Sequence, residues 1–190
     1  MKALMIAAGA AAMTLAGCAT TRDEPPEMAV DPNSPLAAPG YMRMAASSDM
    51  FEIESSRLAL QRSQNPAVRS FAQMMIDHHT RTTQDLMRCG ADAGLPPPPP
   101  GLMPHHRDAL ERLRMAPPGE FDAGYKREQI TGHREALALH RNYADRGDNS
   151  DLRRCAGATW PIVERHLREA EGLPEWAPPP PAPPRAGERG

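Results

Sequence analysis

Apolar residues recur every three or four positions through four long stretches of this chain, and that spacing predicts four helices. The first runs from about Tyr41 to Ser63 and stops at Asn65-Pro66. Asn65 suits a helix N-cap and Pro66 a first helical residue, so the second helix begins at once. There Val68, Phe71, Ala72, Met75, Ile76, His79, Thr83 and Leu86 share one face, and charged or amide side chains fill the other. The third helix, Glu120 to Arg146, groups Phe121, Tyr125, Ala136, Leu137, Leu139 and Tyr143, and Gly147 is read as its left-handed C-cap. Asn149 or Ser150 caps the fourth, which buries Leu152, Ala156, Val163 and Ala170 before Gly172 and Pro174 stop it.

Connection lengths set the topology. The first and last links are a few residues long, so each helix pair is an antiparallel hairpin. The middle link, about Gly90 to Gly119, holds five consecutive prolines from Pro96 and a short helical stretch from His105 to Arg114. A link of that length can carry the chain along the whole molecule. The expected fold is all-α, an antiparallel four-helix bundle with a long Pro-rich crossover. Cys89 closes the second helix and Cys155 lies near the start of the fourth. In an up-down-up-down bundle they sit roughly 30 Å apart, but a crossover that makes the second and third helices parallel brings them to one pole. A Cys89–Cys155 disulfide and the crossover are therefore expected together, the alternative being two independent buried thiols.

Proline also marks the flanks. Residues 18–40 read as an extended tether, 41–173 as the helical domain, and 174–190, with seven prolines, as a solvated tail. Ahead of the tether, Lys2 and the apolar run from Ala3 to Ala16 lead to Leu15-Ala16-Gly17-Cys18. This resembles a bacterial lipobox, which implies that residues 1–17 are a signal peptide and that Cys18 is the lipidated first residue of the mature chain. An envelope protein held by acyl chains is expected, facing the periplasm from the outer membrane. The membrane is then its partner, and each buried methylene contributes about 0.8 kcal/mol.

Composition narrows the function. Beyond residue 17 the chain keeps 21 basic and 24 acidic residues, a formal −3, so nucleic acid is not an expected partner. Aromatic residues make up 4%, which favours helices over a β-sandwich. No nucleophile triad, phosphate loop or Cys-x-x-Cys is present, so no enzyme is expected.

Ionisable residues nevertheless fall inside the apolar sectors. Helix wheels turn Glu54 inward and Glu52 outward on the first helix, and put His79, His133 and His166 on the inner faces of the other three. His140 also points in, and His78 lies at the edge of its apolar face. Buried groups of this kind need partners. One solution is a single divalent transition metal (Zn, Cu, Fe or Ni) held by Glu54, His79, His133 and His166, with His78 and His140 as extra ligands. The other is a metal-free polar network that locks the helices together. The pattern of a di-iron site, with Glu-x-x-His on two helices, is absent. Nine methionines follow residue 17 and read as core packing, His105-His106 reads as a solvated pair, and Pro161 either aims His166 or is a tolerated bend.

Taken together, Ala45 to Ala59 with Glu54, Asn65-Pro66, Phe71-Ala72-Gln73, His79-Thr80, Phe121-Asp122, Tyr125, His133, Pro161 and His166-Leu167 resemble family 4142 of the bacterial domains of unknown function. The resemblance implies a ferritin-like helical fold and singles out Glu54, His79, His133 and His166. It supplies no activity. Where that family usually has an aspartate before the histidine of the second helix, this chain has His78, so the carboxylate that would orient His79 is missing or comes from elsewhere.

Overall fold

The computed structural model describes residues 31–174, and all of the regular structure among them is helical. The proposed signal peptide, the lipidation at Cys18, most of the tether and the Pro-rich tail lie outside the described residues. Among the described residues there are five helices, α1 (Ala38–Arg62), α2 (Pro66–Asp92), α3 (Pro104–Met115), α4 (Phe121–Arg146) and α5 (Ser150–Glu171), with a 3₁₀ turn at Pro118–Glu120.

Local chemistry fixes the helix ends. Asn65 accepts a hydrogen bond from Ala67 N–H (2.9 Å) with Pro66 at the first helical position, and Asn149 accepts from Asp151 and Leu152 N–H. α1 begins at Ala38, so Pro39, assigned to the tether by sequence, lies in its first turn, and Asp148 N–H donates to Leu36 O just before it. Gly147 is not the left-handed cap expected, since its φ is −59°. A Cβ there would meet the Tyr143 ring at 2.6 Å, so the position demands a small residue for space rather than for backbone freedom.

Helix α1 packs on α2 and α4, and α5 also packs on α2 and α4, so the four long helices form the ring α1-α2-α5-α4. Cys89 and Cys155 are disulfide-bonded with Cα atoms 6.6 Å apart. The end of α2 and the start of α5 thus share a pole, and α2 runs parallel to α4 across the ring. The crossover carries α3, which lies on α1 and α4. Arg62 anchors its far end by donating to the carbonyls of Leu113 (2.6 Å), Arg114 (2.9 Å) and Ala116, with its guanidinium over the Phe121 ring.

The interior is layered. At the disulfide pole Tyr41, Met42, Ala45, Leu86, Tyr143, Leu152 and Ala156 form one apolar cluster. At the other pole Ala59, Val68, Phe71, Met75, Leu113, Phe121, Tyr125 and Ala170 form a second. Between the two, each of the four long helices contributes buried polar side chains: Asp49 and Glu52, His79 and Thr82, Gln129 and His133, and His166.

Candidate metal centre

Three imidazoles meet in this polar layer. His79, His133 and His166 come from α2, α4 and α5, and their ring centroids stand 5.2–5.6 Å from one another. Each offers one ring nitrogen to a group lying within 4.8 Å of the others, and all three residues are buried. His79 Nε2, His133 Nε2 and His166 Nδ1 have no hydrogen-bond partner among the described residues.

The opposite ring nitrogens are all engaged. His79 Nδ1 lies 2.8 Å from Asp49 Oδ1, and the same carboxylate accepts from the Thr82 (2.9 Å) and Thr83 (3.0 Å) hydroxyls. His133 Nδ1 donates to Gln129 O at 2.8 Å, and His166 Nε2 lies 2.8 Å from His78 Nδ1, the rings nearly parallel. A proton placed on each engaged nitrogen leaves three inward lone pairs, the tautomers a metal requires. His78 therefore stands behind His166 as its support.

The buried carboxylate beside the three histidines is Glu52, not Glu54, and it lies on the Nδ1 side of His133. Glu52 is buried with Oε1 3.5 Å from His133 Nδ1, and neither of its oxygens has a hydrogen-bond partner among the described residues. Glu54 faces the surface in an ion pair with Arg57 at 2.7 Å. A wheel centred on Glu54 points to nearly the opposite side of α1, two positions being about 200°, because α1 has neighbours on three sides in α2, α3 and α4 and thus no single apolar face. The inner line of α1 is Ala45, Asp49, Glu52, Ser56 and Ala59, at steps of three and four. Opposite it, Gly132 gives the carboxylate room, since a Cβ there would lie 2.8 Å from Glu52 Oε1.

Asp49 is a functional residue that the sequence pattern does not single out. It is the carboxylate that orients His79, supplied by α1 rather than by the residue before the histidine. Two acidic residues and four serines of α1, buried together at helical spacing, were the available signal. His140 stands apart, bonded through Nδ1 to the Tyr41 hydroxyl at 2.9 Å. Asp49, His140 and Tyr41 line a cavity of about 300 Å³ beside the disulfide.

Burial sets the charges. It pushes His133 down to about 3 and His166 to about 2, with neighbouring imidazoles adding to the effect, so both are neutral ligands in waiting at ordinary pH. Burial likewise lifts Glu52 to about 7. For His79, burial lowers the pKa, but the Asp49 hydrogen bond and charge outweigh it and raise the value on balance. The donor set, three imidazoles with free inward nitrogens and a buried carboxylate beside them, fits a divalent cation.

The chain belongs to the family described as Domain of unknown function (DUF4142), whose model matches residues 23–173. No curated protein matches it. Among solved structures it is similar to a DUF305 fragment from Deinococcus radiodurans, with a TM-score of 0.62, 19% identity, and 71% of this chain and 93% of that one covered. It is also similar to CopM in the Cu(II)-bound form, with a TM-score of 0.60, 16% identity, and 72% and 94% covered. At these identities the likeness is one of fold.

Proposed function

We propose that this DUF4142 protein holds one transition-metal ion in its interior through His79, His133, His166 and Glu52, and that it is a non-catalytic metal-binding protein of the cell envelope. The observation that carries the reading is the set of three buried imidazole nitrogens left without partners while the opposite nitrogen of each ring is engaged. A purely structural network would have used those nitrogens, because an unmade buried hydrogen bond costs about 1–3 kcal/mol. In this reading the ring of four long helices is a ferritin-like bundle, anchored to the outer membrane through acyl chains on Cys18.

Imidazole and carboxylate donors suit Zn(II), Cu(II), Fe(II) or Ni(II). Copper is the first ion to test, since CopM, of similar fold, is known in a Cu(II)-bound form. Asp49, His78 and the Gln129 carbonyl hold the ligand rings in place, and a metal competes with protons for the inward nitrogens. Elemental analysis and calorimetric titration of untagged protein test the proposal. About one tightly held equivalent, lost in His133→Ala and Glu52→Gln but kept in Glu54→Gln, supports it. No bound metal, with melting unchanged by chelator, leaves instead a metal-free structural or protein-interaction module.

A further inference from the structure

Outside the core, a second convergence of donors stands where α3 meets α4. His105, His106 and Glu135 each offer one donor atom to a group within 4.8 Å, with His105 Nε2 3.8 Å from Glu135 Oε2. The two histidines are not the solvated pair that the sequence suggests. His106 is buried, its ring flat against Phe51 at 5.3 Å between centroids, while His105 and Glu135 stay exposed. Ser47 holds the arrangement, since its Oγ accepts from Met103 N–H (2.7 Å) and lies 2.7 Å from His106 Nδ1. With Nδ1 held by Ser47, Nε2 is the ring nitrogen that His106 has left for a ligand. Burial and the neighbouring His105 together keep His106 neutral. A cavity of about 160 Å³ opens on these residues, and Met44 and Met103 line it too.

We propose that His105, His106 and Glu135, with Met103 and Met44 at the same cavity, form a second, surface-accessible copper site. Imidazole and carboxylate donors take Cu(II), and thioether sulfurs beside imidazoles take Cu(I). One buried ligand with two exposed ones describes a site that accepts and releases an ion readily, because ordering exposed side chains is part of the cost of binding. Phe51, which backs His106, directly precedes the buried Glu52 on α1.

Untagged full-length protein titrated with Cu(II), followed by electron paramagnetic resonance and mass spectrometry, tests the site without relying on the core reading. Replacing two exposed residues, His105→Ala with Glu135→Ala, leaves the fold intact and is expected to remove one equivalent, whether the starting count is two (core site filled) or one (core site empty). His133→Ala serves as the reciprocal variant and should retain the surface equivalent. A His105→Ala/Glu135→Ala protein that binds as much Cu(II) as the parent would overturn the proposal. In anaerobic competition with a Cu(I) chelator, Met103→Leu should weaken Cu(I) binding at least tenfold and shift Cu(II) affinity by less than twofold. Equal effects on both ions would remove the thioether from the site.

Discussion

Replacing Glu52 by glutamine separates a ligand from a structural partner, because the two roles predict opposite signs. Burial raises the Glu52 pKa from 4.5 to about 7, so the fold favours the neutral acid. A carboxyl group whose folded pKa lies above its unfolded value destabilises the folded state at pH values above both, and the penalty fades as pH falls toward 4.5. A rise of about 2.5 units corresponds to about 3 kcal/mol at pH 8. Glu52→Gln removes that charge, and the new amide can donate to Gln129 Oε1, which lacks a partner among the described residues. Metal-free Glu52→Gln should therefore be more stable than the parent at pH 8, by up to about 3 kcal/mol, with the gain vanishing near pH 4.5. Its metal affinity should fall at least tenfold. Urea unfolding of chelator-treated proteins at both pH values measures the first effect and calorimetry the second. Glu54→Gln is the control: an exposed ion pair contributes about 0.5 kcal/mol or less. If Glu52→Gln destabilised the metal-free protein at pH 8 by more than about 1 kcal/mol, the carboxylate would be a structural partner of the histidines and the reasoning would fail.

Three further outcomes are expected. Removing the disulfide as Cys89→Ala/Cys155→Ala frees a 66-residue loop and should cost about 4 kcal/mol by chain entropy, read from urea midpoints; a loss under 1 kcal/mol would refute that estimate. Acid should destabilise the metal-free protein, because burial holds His106 and His140 at about 4, His133 at about 3 and His166 at about 2, whereas all four titrate near 6.5 when unfolded. The folded state then binds fewer protons between about pH 4 and 6.5, with Glu52 opposing by one, so stability should drop by up to about 4 kcal/mol per pH unit; a flat profile over that range would contradict it. Gly132→Ala gains helix propensity yet drives a methyl onto Glu52, so metal affinity should fall severalfold while the metal-free melting temperature changes little, as calorimetry and thermal melts would report.

Much of this architecture was readable from spacing alone. On α2 and α5 one face is apolar and the other charged, so a wheel aims His79 and His166 correctly, and Asn65, Pro66 and Asn149 mark helix starts by hydrogen-bonding chemistry. Helix α1 defeats the same method. It buries Ser47, Ser48, Asp49, Glu52, Ser55 and Ser56 against three neighbours, so its polar residues say nothing about which side meets solvent. For that one reason the pattern favours Glu54 over Glu52 and does not mark Asp49. The burial of His106 is hidden for a related one: whether a crossover helix is covered depends on where the crossover lands, and no local pattern encodes that.

The covalent bridge between α2 and α5 also acts as a ruler. Cys89 follows His79 by ten residues and Cys155 precedes His166 by eleven, which is about 15 and 16 Å of helical rise from the same tie point. The two antiparallel rods are thereby pinned so that their imidazoles sit at matching heights. Severing the tie would leave α5 free to slip lengthwise and carry His166 out of step with His79, while the position of His133, on a helix outside the bridge, stayed the same. Oxidation of two distant thiols thus calibrates the height at which three nitrogens face one another.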